Sequence, residues 1–489
     1  MKVVPQFLIL ACLTYSNLNA QPPKIFSKQE AVQDFEYLES VLESVHYNPY
    51  AYTSKAVFDR AERSVRASLH DGITSVEAFR LLQPYVALAK MSHFSISYPF
   101  DEYGNYAGHG GTLLPLNLRL VQGKAFVKEN FSPDPRIASS DEVIALNQRP
   151  IAAILKDFHA FCSGESEYAI DSQIDAFNFS RMYWFVFGRS DVFELKVKRP
   201  SGGEFTVSVP AISVGNFEAQ ASKKPVIEYR DYKRERRFIN DNIAYLRPGP
   251  FFDASAGGLT SAALDSHEFL QFLESSFTEI STRRPKYLIL DLRSNPGGTA
   301  SFSMQLIAYI ATKPFRSVKV TYRTGNVTKD GMRHLDASLL APEDASLRDA
   351  LLSHPDGSRF AVPNTEYQPK NTSASFAGRV IVLVNRFTYS EAVVAASLIQ
   401  DYGFGTLVGE PTPYGATIYA SSQVAELPNT KLKLVYPRAF LERTGGGKAS
   451  QSNVVPDHQR RENALTDRDE LLEYALELIR ISDNGGDLR

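Results

Sequence analysis

Between residues 27 and 90 the apolar positions recur every three or four residues: Phe35, Leu38, Leu42 and Val45, then Phe58, Ala61 and Val65, then Phe79, Leu82 and Val86. That period lines one face of a helix and predicts three helices sharing a core. Two of their starts carry capping boxes, Ser27 with Glu30 and Thr74 with Glu77, in which each side chain accepts from the other residue's backbone N–H. From about residue 96 the period shortens to two. "LPLNLRLVQGKAFVKEN" alternates Leu116, Leu118 and Leu120 with polar residues and turns at Gln122-Gly123, and Ser201 to Gly203 mark a second hairpin.

The basic stretch "YRDYKRERR", 229 to 237, reads as a solvated connector. Beyond it come "NIAYLRPG", a helix through Phe269 to Phe277, "YLILDL", a helix from Thr299, "RVIVLVN", a helix from Glu391, and "GTLVGE". Strands and helices in alternation predict an α/β core with buried strands, so the chain as a whole is a multidomain α+β protein. The divisions fall at residues 21–95 for a helical domain, 96–228 for a β-rich domain and 229–489 for the α/β core.

Composition narrows the setting. With 489 residues, 43% of them hydrophobic, the chain can build several cores. Its net charge of −2, with no long run of one sign, offers nothing to nucleic acid. Residues 1–20 carry one Lys, an apolar stretch from Val3 to about Thr14 and a polar end at Ala20, the pattern of a secretory signal peptide. It predicts a mature chain beginning near Gln21, in the periplasm or secreted. "ILAC" at Cys12 fits a lipoprotein box poorly, and no later stretch has the length of a transmembrane helix. Removing the signal leaves only Cys162, which excludes a disulfide framework and a cysteine-ligated metal site.

Two segments carry candidate chemistry. "KYLILDLRSNPGGTASF" places a Gly pair, Gly297-Gly298, between a buried strand and a helix, where bare backbone N–H groups can face a phosphate or an oxyanion. "RVIVLVNRFTYSEAVVAA" repeats the arrangement with Ser390 in the first helical turn and Thr388 with Glu391 as a third capping box. A serine there is an ordinary helix start. It is also where a helix dipole would stabilise an alkoxide, with the Glu391 N–H beside it as an oxyanion donor.

Two resemblances follow. "DEVIALNQRPI", Asp141 to Ile151, resembles the strand, turn and helix start of a PDZ domain, with "LLPLN", Leu113 to Asn117, in place of the usual glycine-rich peptide-carboxylate loop. The ordered series "LILDLRSNPGG", "VIVLVNRFTYSEA", "GTLVGEPTPYG", "AELPNTKLKLVYP" and "NVVPD" resembles the tail-specific or C-terminal processing protease family, which includes tricorn protease and the interphotoreceptor retinoid-binding protein. The resemblance implies a crotonase-like mixed αβ protease core with an N-terminal helical cap and a PDZ-like insert. It implies Ser390 as nucleophile, an oxyanion hole from Gly297, Gly298 and Glu391, peptides or unfolded protein tails as substrates, and no metal or organic cofactor. It leaves the oligomeric state open.

The family activates its serine in two ways. The Ser/Lys branch has T-x-G-K after the serine, whereas this chain has "TPYGA", with Ala416 at the lysine's place. The tricorn-like branch uses a Ser-His pair after the helical cap, matched here by Ser92-His93 in "AKMSHFSISYP". His93 is then the base, with His458 in reserve. The branch's carboxylate would fall near Ser450 or Gln451, so Gln451 or Glu442 is left to orient the imidazole. The contrasting expectation is a non-catalytic ligand- or peptide-binding protein on the same fold, like the retinoid-binding relative.

Overall fold

The computed structural model describes residues 24–485 except 224–231, 255–263, 336–339, 341, 371–372, 446–451 and 464. The segment read as a signal peptide, with Cys12, and also Ser450 and Gln451, lie outside the described residues.

The three N-terminal helices are Lys28–Ser44, Lys55–Ser68 and Ser75–Ala87. Both capping boxes form: Glu30 N–H donates to Ser27 Oγ, Ser27 N–H returns to Glu30, and Thr74 with Glu77 does the same. Phe35, Leu38, Phe58, Phe79 and Val86 are buried together, as their period requires.

The second unit wraps the helices Ile151–Phe161, Glu167–Phe177 and Phe179–Phe187 against an antiparallel sheet. Its strands run Glu204–Pro210, Val192–Lys198, Glu142–Leu146, Lys124–Asn130, Leu116–Val121 in spatial order. Leu116, Leu118 and Leu120 face its core. Over Asp141 to Ile151 the chain forms a strand, a turn with Asn147 and Gln148 at positive φ, and the start of a helix.

The core holds two sheets. In the six-stranded one, Ile243–Arg247, Tyr287–Asp291, Arg379–Val384 and Thr406–Gly409 are parallel neighbours with fully buried centres such as Leu290, Val382 and Leu383. Its antiparallel edge is Glu235–Asn240. That edge corrects the end of the stretch read as a connector: Glu235, Arg236 and Arg237 pair with Arg247, Leu246 and Tyr245. The alternation of charge with Phe238 suits a half-exposed edge, which a charge count alone reads as a loop.

The five-stranded sheet contains Arg359–Ala361, Lys319–Arg323, Lys433–Glu442 and Ile418–Glu426. Its fifth strand, Ser95–Ile96, comes from just after the helical domain and pairs with Val435 and Leu434. Ser97 N–H extends this to Lys433 O at 2.8 Å. The segment carrying Ser92 and His93 is thereby hydrogen-bonded to the core. No helix among the described residues is long and apolar enough to cross a membrane.

Candidate active site

Two strand-to-helix turns meet at the ends of the parallel strands. Ser294 N–H donates to Asn385 Oδ1 at 3.1 Å, and Tyr389 N–H to Asn295 O at 2.9 Å, so the Gly-Gly turn and the serine turn are bonded to each other. Ser390 is the N-cap of Glu391–Tyr402, but its side chain makes no cap bond. Thr388 Oγ1 donates instead to Leu292 O at 3.0 Å, and Glu391 accepts from Ser303 Oγ at 2.5 Å. The third capping box therefore does not form, because contacts with the neighbouring turn and helix take both partners. The Ser390 backbone sits at φ 51° and ψ −124°, a conformation costing on the order of 1–3 kcal/mol and found mostly where a surrounding structure enforces it. Here Ser390 N–H is held by Tyr414 Oη at 2.7 Å.

Ser390 Oγ lies 3.3 Å from His93 Nε2, across 297 residues of sequence. The His93 ring is 4% exposed and stands between Tyr389 and Tyr414, at centroid distances of 5.1 and 5.4 Å. Its Nδ1 is buried without a hydrogen-bond partner among the described residues. Burial holds the imidazole neutral, with its pKa drawn down from 6.5 to about 3.

Ser92 is fixed from both sides. Its Oγ and N–H donate to the two oxygens of Glu165, at 2.5 and 2.9 Å, and its carbonyl accepts from Tyr389 Oη at 2.6 Å. Burial raises the Glu165 pKa, and the two Ser92 bonds oppose that. Glu165 escapes a reading of the sequence: it lies in "CSGESEY", a loop with no periodicity, and meets Ser92 only through the fold. Tyr414 was equally silent, its neighbours Pro413 and Gly415 marking only a turn.

Of the three oxyanion donors expected, Gly297 is corrected: its N–H donates to Asn295 Oδ1 at 2.9 Å. Gly298 and Glu391 keep N–H groups with no acceptor among the described residues. Glu442 ends its strand exposed, paired with Lys319, and His458 pairs with Val408 at the far edge of the parallel sheet. Neither lines the cavity at Ser390. That cavity, of about 610 Å³, is bounded by His93, Pro296, Gly298, Ser390, Glu391 and Tyr414 among others. Burial pushes the Glu391 carboxyl up to about 7, against the pull of the Ser303 bond.

A hydroxyl beside a neutral imidazole, on a helix start with two spare N–H groups, is the arrangement of a serine hydrolase. Residues 254–460 match the family model of Peptidase family S41, a family of serine-type peptidases. Among solved structures it is similar to mature CPAF, at TM-score 0.63 and 15% identity over 94% of this chain and 99% of that one. Mature CPAF complexed with lactacystin gives the same figures. The photosystem II D1 C-terminal processing protease matches at TM-score 0.42 and 15% identity, over 91% and 96%. The CPAF likenesses speak for the fold, a mixed α/β peptidase architecture.

Proposed function

We propose that this protein is an exported serine endopeptidase that cuts peptides or unfolded protein tails, with Ser390 as nucleophile and His93 as base. The observation that carries the reading is the 3.3 Å approach of His93 Nε2 to a Ser390 Oγ that no cap bond engages. In the reaction, Nε2 takes the Ser390 proton as Oγ attacks the scissile carbonyl carbon. The oxyanion meets the N–H groups of Gly298 and Glu391. Nε2 then returns the proton to the leaving amine, and water, deprotonated by the same nitrogen, releases the acyl group.

Glu165 supports the base indirectly, by holding the backbone and hydroxyl of Ser92 next to it. No carboxylate reaches His93 Nδ1 among the described residues, so the imidazolium gains no direct ion pair. That supports a peptidase of reduced rate. The same observation, with the pKa of about 3, favours a second reading in which the cleft binds a peptide or apolar ligand without cutting it. A fluorophosphonate probe separates the two. Labelling of the wild type, lost in Ser390→Ala, supports the peptidase; an unlabelled, folded wild type supports the binding protein.

A further inference from the structure

Among the described residues five arginines are buried: Arg181, Arg247, Arg293, Arg438 and Arg443. Four face a carboxylate, Arg181 with Glu218, Arg247 and Arg293 with Asp291, and Arg443 with Asp401. Arg438 does not. It lies in the strand Lys433–Glu442, 9% exposed, and lines the cavity that holds Ser390.

The groups in contact with Arg438 are neutral. Its Nη1 meets Gln423 Oε1 and Met332 Sδ, both at 3.2 Å, its Nε meets Ser421 Oγ at 3.4 Å, and the Tyr322 ring centre is 5.8 Å from the guanidinium. Nη2 has no partner among the described residues and is not sealed from the cavity. Burial lowers the guanidinium's pKa, with Tyr322, Tyr436 and Asp344 opposing it at longer range. The cavity's own carboxyls are engaged elsewhere: Asp344 accepts from Ser301 Oγ at 2.9 Å and Glu391 from Ser303. A buried cation with no carboxylate in contact is costly to keep, and the cost is recovered when an anion enters.

We propose that Arg438 anchors a carboxylate of the bound peptide, supplied by its C-terminus or by an Asp or Glu side chain. The anchor rests on the peptidase reading for the identity of its ligand as a peptide, and it makes Arg438 a specificity-determining residue for acidic substrates. A planar guanidinium with a free Nη2 suits this chemistry, since charge-assisted bonds to carboxylates exceed neutral ones in strength.

The test uses the full chain with Ser390→Ala, so that binding is read without cleavage. Three fluorescein-labelled hexapeptides of Ala and Leu are compared by anisotropy: one with a free C-terminal carboxylate, its C-terminal amide, and that amide with one Ala replaced by Glu. At least one acidic peptide should bind about tenfold tighter than the neutral amide, and which one does identifies the carboxylate's source. Arg438→Met should abolish the preference. Gln423→Glu, which sets an internal carboxylate against the guanidinium, should do the same while keeping the arginine. Equal binding of the three peptides, absence of binding, or a preference that survives both variants overturns the proposal. Fluorophosphonate labelling and cleavage by the chain with Ser390 intact are scored separately, so a failed peptidase and a failed anchor give different results.

Discussion

Gly297 stands back to back with Ser390: a Cβ added to the glycine would fall 2.7 Å from Ser390 Cβ and 2.6 Å from Glu391 N. The glycine also holds φ at +84°. Its contribution is therefore close approach, which brings Gly298 and Glu391 near one point. Gly297→Ala should push the two turns apart and reduce fluorophosphonate labelling of Ser390 by about 100-fold, with the circular dichroism spectrum unchanged. Labelling at the wild-type rate would show that the turns need not touch.

If Ser390 and His93 act as a unit, Ser390→Ala and His93→Ala each remove most of the peptidase activity, and the double variant loses little more. Additive losses would separate their roles. Because the Ser390 hydroxyl makes no cap bond, Ser390→Ala should lack the loss of roughly 1 kcal/mol that follows removal of a working N-cap. Urea unfolding measures it.

Glu165 reaches the base only through Ser92, so its variants should touch turnover more than affinity. Glu165→Ala frees both Ser92 donors and is expected to lower kcat by about 100-fold with little change in KM. Glu165→Gln keeps an acceptor for the Ser92 N–H and should restore most of the rate. An alanine variant with wild-type kcat would leave Glu165 as a mere loop tie.

The pH profile should lack the step at about 6.5 that an ordinary histidine gives, because burial keeps His93 neutral down to about 3. Stability carries the signature instead. His93 and the buried His46, also drawn down to about 3, take up protons only on unfolding, so stability falls as pH drops below 6.5 and keeps falling toward 3. Glu391 has the opposite sign: its pKa, raised from 4.5 to about 7, makes the native state hold a proton that the unfolded state releases. Stability from this group is full at low pH and is lost as pH rises from 4.5 to 7. Denaturant melts of wild type, His93→Gln and Glu391→Gln at pH 4, 5.5, 7 and 8 should show the first variant flattening the acid side and the second flattening the 4.5 to 7 window.

Ala416 is 1% exposed within the apolar core beside the serine. Ala416→Lys should not raise the peptidase rate and should destabilise the fold, since an ammonium there is desolvated. A large gain in rate would mean that lysine, and not His93, is the base this scaffold prefers.

What was legible in the sequence was local. The boxes at Ser27 and Thr74 form because their partners lie three residues away and nothing competes for them. The box expected at Thr388 has the same spacing and fails, because Leu292 O, 96 residues distant, takes the hydroxyl. Gly297 and Ser390 stood out through turn chemistry and through ordered motifs, yet the Asn295 side chain that occupies the Gly297 N–H did not. Glu165 and Tyr414 reach Ser92 and Ser390 only after the units dock, and no periodicity marks a residue whose purpose is a single tertiary bond.

The two-residue strand Ser95–Ile96 gives the chain a form of proofreading. His93 emerges early in synthesis and Ser390 late, and the strand that joins them finds its partners, Val435 and Leu434, only later still. A product truncated before residue 390 holds His93 without Ser390, and a half-folded one holds both residues apart. On the peptidase reading, hydrolysis is thereby withheld until residues 434 and 435 have been made and have closed on this strand.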